Sequence, residues 1–91
     1  MKNFKKIEKE YEDFRNGVLL LSKEEIYNKA FTINFYVNIY EYLEFQEYDI
    51  PNKMTLLDLF EFYKKKEHLN YNNYKDLELL LYEYKNSLEG R

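Results

Sequence analysis

Ninety-one residues with a net charge of −3, 45% of them hydrophobic and 34% charged, fit one small folded domain and exclude both a disordered chain and a two-domain one. The absence of cysteine excludes a disulfide framework, a thiolate metal site and a cysteine nucleophile, and two glycines and one proline are too few for the dense turns of an all-β fold. The acidic balance argues against a ligand held by phosphate neutralisation.

Phe4, Ile7, Tyr11 and Phe14 recur at steps of three and four, which predicts a first helix over 3–16 with one apolar stripe. Gly17 follows the stripe, where a left-handed residue commonly ends a helix. Beyond the short apolar patch Val18 to Leu21 comes Ser22-Lys23-Glu24-Glu25, a capping box in which serine and glutamate each satisfy the other's free backbone N–H. Leu21 and Ile26 stand at the staple positions.

The stretch TINFYVNIYEYLEF, residues 32–45, carries two periods at once. Ile33, Phe35, Val37 and Ile39 alternate as in a strand, while Tyr36, Tyr40 and Leu43 recur at helical spacing. The capping box launches a helix at Lys23, and neither proline nor glycine interrupts it before Pro51, so the helical period is expected to win. That gives one long central helix from 23 to about 44, roughly 30 Å in length. Its wheel has Ile26, Ala30, Ile33, Val37 and Tyr40 on one side and Phe31, Phe35 and Tyr42 on others. A helix this apolar all round is expected to be enclosed by neighbours.

Gln46 to Lys53 reads as a connection around Pro51. Thr55-Leu56-Leu57-Asp58 resembles a shortened capping box, opening a third helix with Leu56, Leu59, Phe60 and Tyr63 as its stripe. That helix is expected to end near Glu67, with Lys64, Lys65 and Lys66 against its carbonyl end. Asn70-Tyr71-Asn72-Asn73 is turn chemistry. A fourth helix with Tyr74, Leu77, Leu81, Tyr84 and Leu88 then runs until Gly90. The expected fold is all-α: a small four-helix bundle with a long central helix, in one domain over residues 1–91.

The chain offers little reactive chemistry. His68 is the single histidine and sits among Lys66, Glu67 and Asn70. Ser22 is explained as a cap, and no second base stands ready to activate Ser87. There is no His-x-x-x-His pair, no acidic calcium loop, and only Gly17 and Gly90 where a phosphate cradle would need several glycines. A non-enzymatic protein is expected, with no catalytic, metal or cofactor site. No stretch approaches the ~18 apolar residues of a membrane helix, and no secretory apolar run follows Met1-Lys2-Asn3, so a cytoplasmic location is expected.

The sharpest asymmetry is acidic. Glu41, Glu44, Glu47 and Asp49 place four acids within nine residues without one base, at the end of the central helix. Such a surface suits a basic groove on a protein partner, including one that normally holds nucleic acid. The bland alternative is a solvated helix end. Tyr27, Tyr42, Tyr48 and Tyr71 lie off the main stripes and are the candidates for exposed anchors, Tyr42 and Tyr48 beside the acids; scattered surface tyrosine is the plainer reading. A codon bias towards A/T would by itself enrich a chain in tyrosine, asparagine and lysine. Lys2, Lys5, Lys6 and Lys9 with Lys64 to Lys66 could in principle meet nucleic acid, but Arg15 and Arg91 are the only arginines, so direct nucleic-acid binding ranks last. A second copy of the chain, pairing aromatic faces in an accessory or regulatory subunit, is the alternative partner.

Glu10-Tyr11-Glu12-Asp13-Phe14, Leu19-Leu20-Leu21-Ser22, Glu24-Glu25-Ile26, Ala30 and Leu43-Glu44 together resemble a family of small helical domains of unknown function. That family is carried on plasmids, phages and integrative elements of low-GC Gram-positive bacteria. Leu56-Leu57-Asp58-Leu59-Phe60 and Tyr63-Lys64-Lys65-Lys66-Glu67 are similar to its later block, although the family usually has more helical sequence before that block than the short Pro51 connection here. The resemblance implies mobile-element cargo, and by analogy with anti-CRISPR and anti-restriction proteins it implies an inhibitor that binds a host defence enzyme.

Overall fold

A computed structural model of the chain describes residues 3–90. It is all-helical, with no strand among the described residues, and contains five helices: α1 (Phe4–Leu19), α2 (Lys23–Asn28), α3 (Ala30–Phe45), α4 (Leu56–Lys64) and α5 (Tyr74–Glu89). The helical period therefore prevails over residues 32–45. The expected single helix from 23 to about 44 is instead divided at Lys29, whose φ of −105° and ψ of 12° interrupt it, so five helices replace four. Lys29 N donates to both Glu25 O and Ile26 O, tightening the last turn of α2, while Ile33 N resumes the ladder on Lys29 O.

α3 is central all the same, packing against α1, α2, α4 and α5. Its buried face differs from the expected one. Phe35, Tyr36, Ile39, Tyr42 and Leu43 are buried, whereas Ala30 and Ile26 are exposed and Ile33, Val37 and Tyr40 half-buried. Phe35, Ile39 and Leu43 repeat every four residues, and this is the stripe that meets Leu56, Leu59, Leu77, Leu80 and Tyr84 in one hydrophobic core. Phe35 lies in a cluster of rings with Phe60 at 5.1 Å and Tyr63 at 4.8 Å between centroids.

α1 is clamped to α3 by three stacked ring pairs, Tyr11 on Tyr40 at 4.1 Å, Phe14 on Tyr36 at 4.0 Å and Phe4 on Tyr40 at 5.6 Å. Gly17 does not end α1 but lies inside it, and the cap is Leu20 in ordinary right-handed geometry. Gly90 does follow α5, yet with a right-handed φ of −82° rather than the left-handed one its identity suggested. The capping box at Ser22 is present: Glu25 N donates to Ser22 Oγ and Ser22 N donates to Glu25 Oε1. The Thr55 cap of α4 is present too, with Asp58 N donating to Thr55 Oγ1, but α4 ends at Lys64, short of Glu67.

Side-chain hydrogen bonds hold the two longer connections. Glu10 of α1 reaches the free N-terminus of α4, where Leu56 N and Leu57 N donate to its two carboxylate oxygens at 2.6 and 3.1 Å. Asn3 Nδ2 donates to Ile50 O, and Lys6 Nζ to Asn52 O, pinning the segment after α3. Tyr63 donates its hydroxyl proton to Leu69 O and accepts from Tyr71 N, which organises the turn before α5.

Candidate functional site

The four acids follow from how α3 ends. Tyr48 N donates to Leu43 O and Glu47 N to Glu44 O, the pair of bonds that defines a Schellman motif. The residue that must be left-handed in this motif is normally glycine; here it is Glu47, with φ 49°. Tyr48 then folds back against the core, and the chain turns sharply into Asp49 and the buried Ile50. Glu41, Glu44, Glu47 and Asp49 all end up exposed, and among the described residues no lysine or arginine pairs with any of them. Some acids elsewhere have work within the fold, Asp13 with Lys9, Glu61 with Lys64, and Glu10 and Glu25 as caps, while Glu12, Glu24 and Glu67 are exposed like the four.

The acids and the tyrosines predicted beside them part company. Tyr42 is buried, contrary to its expected role as an exposed anchor, because it stands seven residues after Phe35 and three after Ile39 and so falls on the true core stripe. Tyr48 and Tyr71 are half-buried, and of the four candidates Tyr27 alone is fully exposed. Tyr42 and Tyr48 are nonetheless brought together, with Gln46, Glu78, Leu81, Tyr82 and Lys85, around an open cleft of about 500 Å³ between α3 and α5. The Tyr74 ring meets Tyr42 edge-on at 5.3 Å. Burial raises the pKa of Tyr42, with Glu78 nearby adding to the effect, and burial followed by Asp49 does the same for Tyr48.

Glu44 belongs to a different side. Tyr40, stacked on Tyr11, has its pKa raised first by burial and then by Glu44, Glu8 and Glu12, which marks a field shared by α1 and α3. Glu8 and Glu12 on α1 thus lie near Glu44, while on the α5 side Glu78 shares the cleft with Lys85.

Sequence reasoning missed the α5 side of this cleft. Tyr74, Glu78 and Tyr82 repeat every four residues on a line distinct from the Leu77, Leu81 and Tyr84 core stripe, and that second line was the available signal. Several of the candidate lysines are occupied within the fold. Lys9 pairs with Asp13, Lys64 with Glu61, and Lys64 and Lys66 lie over the Phe60 and Phe62 rings; Lys2 and Arg91 lie outside the described residues. Among the described residues no three acids or histidines gather to hold a metal, and no helix is long and apolar enough to cross a membrane. No family model, curated protein or solved structure matches this chain.

Proposed function

We propose that the protein is a non-enzymatic binding module that docks its acidic α3 end onto a basic protein groove. The observation that carries this is the charge of Glu41, Glu44, Glu47 and Asp49, exposed at and just beyond the end of α3 with no lysine or arginine paired to them among the described residues. Their placement is costly in two ways: carboxylates sit at the carbonyl end of a helix dipole, and one occupies a left-handed backbone position. An acidic surface of this kind steers towards positive charge and competes with phosphates for it. The tyrosine-lined cleft beside Asp49 offers apolar walls for an anchoring side chain, with Tyr82 as its exposed rim.

The finer reading is a stoichiometric inhibitor of a host nucleic-acid-dependent defence complex, of the anti-CRISPR kind. It rests on that charge complementarity together with the resemblance to mobile-element helical domains. Affinity capture from a host lysate with the intact chain, read by mass spectrometry, tests it. A nuclease or defence component held by the wild-type chain and lost with Glu41→Lys/Glu44→Lys/Glu47→Lys supports the proposal. Recovery of no such component, or its retention by the triple variant, overturns it.

A further inference from the structure

A second surface carries no net charge. α2 contributes no buried residue, and residues 22–30 are exposed without interruption. Its main helix neighbour is α3, the element that continues it. A six-residue helix with no buried side chain is marginal in water, yet this one is fixed by a complete capping box. Around it the chain exposes Leu19 at 72%, Leu20 at 87%, Tyr27 at 81% and Phe31 at 51%, with Ile26 at 38%. Taking about 200 Å² for a large apolar side chain in full exposure, these five together leave roughly 650 Å² in water, Phe31 through the part of its ring not packed on Phe60 and Tyr71. With the exposed polar residues of α2 added, the corner reaches the ~800 Å² per partner of a standard interface.

Charge decides what covers it. Residues 19–31 hold Lys23, Glu24, Glu25 and Lys29, two of each sign, so the corner is neutral on a chain whose net charge is −3. A basic partner has nothing to select here, and an anionic membrane surface finds no excess of lysine. The acidic α3 end would repel another copy, but the corner does not. It is also self-complementary: Glu24 and Glu25 stand in the first turn of α2 and Lys29 caps its end. Two α2 helices laid antiparallel across a two-fold axis near Tyr27 place the acids of each copy beside Lys29 of the other, with opposed dipoles.

From this we infer that residues 19–31 are a homodimer interface, in which a second copy of the chain covers Leu19, Leu20, Ile26, Tyr27 and Phe31. The dimer leaves both acidic ends free, so each complex presents two docking surfaces.

Sedimentation equilibrium on the full chain from about 1 μM to about 1 mM tests the inference. The mass should rise from 11.4 kDa towards twice that value. Leu20→Glu and Tyr27→Glu, both at exposed positions, should each weaken association by on the order of tenfold or more with unchanged circular dichroism. Lys29→Glu should weaken it, and Glu24→Lys added to Lys29→Glu should restore it, since the signs are then exchanged on both copies. Tyr82→Glu and the Glu41, Glu44 and Glu47 reversal should leave the mass unchanged, which separates this interface from the acidic docking surface. A monomer at every concentration, a dimer indifferent to Leu20→Glu and Tyr27→Glu, or a monomer that uses these residues to bind anionic vesicles would each overturn it.

Discussion

Replacing Glu47 with glycine should make the protein more stable and a poorer binder. At φ 49° an L-residue brings its Cβ against the following carbonyl, at a cost of about 1–2 kcal/mol that glycine does not incur. Loss of the carboxylate from the carbonyl end of α3 adds about 0.5 kcal/mol at this exposed site. Against these stands the greater freedom of glycine in the unfolded chain, about 0.5–1 kcal/mol. The net gain is about 1 kcal/mol, or roughly 4–8 °C in Tm for a domain of this size. Glu47→Gln separates the contributions, because it removes the charge but keeps the Cβ, and it should recover about half of the gain. Thermal unfolding followed by circular dichroism reads both variants. If Glu47→Gly melts at or below the wild type, the Schellman assignment and the strain at Glu47 are wrong. Glu47→Gly should also weaken partner capture, since one of the four acids is gone.

Three further outcomes follow from the same structure. Glu10→Ala removes both acceptors at the start of α4 and strands the N–H of buried Leu56, so it should cost about 2 kcal/mol, or roughly 10 °C, in thermal unfolding; a Tm within error of wild type would contradict the cap. Burial pushes the Tyr36 phenol from 10 up to about 12, so its contribution is intact below pH 10 and is lost as pH rises towards 12, where the unfolded chain ionises first. Absorbance titration at 295 nm should therefore show tyrosines lagging until the protein unfolds, and uniform ionisation near pH 10 would refute this. The Ser22 backbone N–H holds the Glu25 carboxyl below its ordinary value, so the capping contribution is present above about pH 4.5 and fades as pH falls further. NMR amide shifts of α2 should follow that loss, and Glu25→Gln, which removes the titrating carboxyl, should abolish the pH dependence.

Helix starts were the most legible part of the fold in the sequence, because Ser22 and Thr55 act through bonds to residues three positions away. Helix ends were less so. Gly17 sits inside α1 and Glu47 takes the left-handed position, so identity misled at both: glycine permits a left-handed cap without requiring one, and a packed turn can impose one on glutamate. The break at Lys29 had no marker, since lysine adopts its φ and ψ at small cost and hydrogen bonds resume at once on either side. The buried face of α3 was ambiguous because almost every position is apolar; packing against α1, α4 and α5 chose Phe35, Ile39 and Leu43. At the candidate site the acids were legible as charge without base, but the burial of Tyr42 and the arrival of Tyr82 and Glu78 depend on α5, 30 or more residues away. Glu10 was equally hidden, as a cap supplied from 46 residues before its helix.

Titration of the captured host partner with the wild-type chain at increasing salt, in the presence and absence of its nucleic acid, bears most directly on the central claim that the acidic α3 end occupies a basic groove. Affinity should fall steeply with salt, nucleic acid should compete, and Glu41→Lys/Glu44→Lys/Glu47→Lys should abolish binding with the fold intact. Binding that ignores salt, tolerates nucleic acid and survives the triple reversal would contradict the claim.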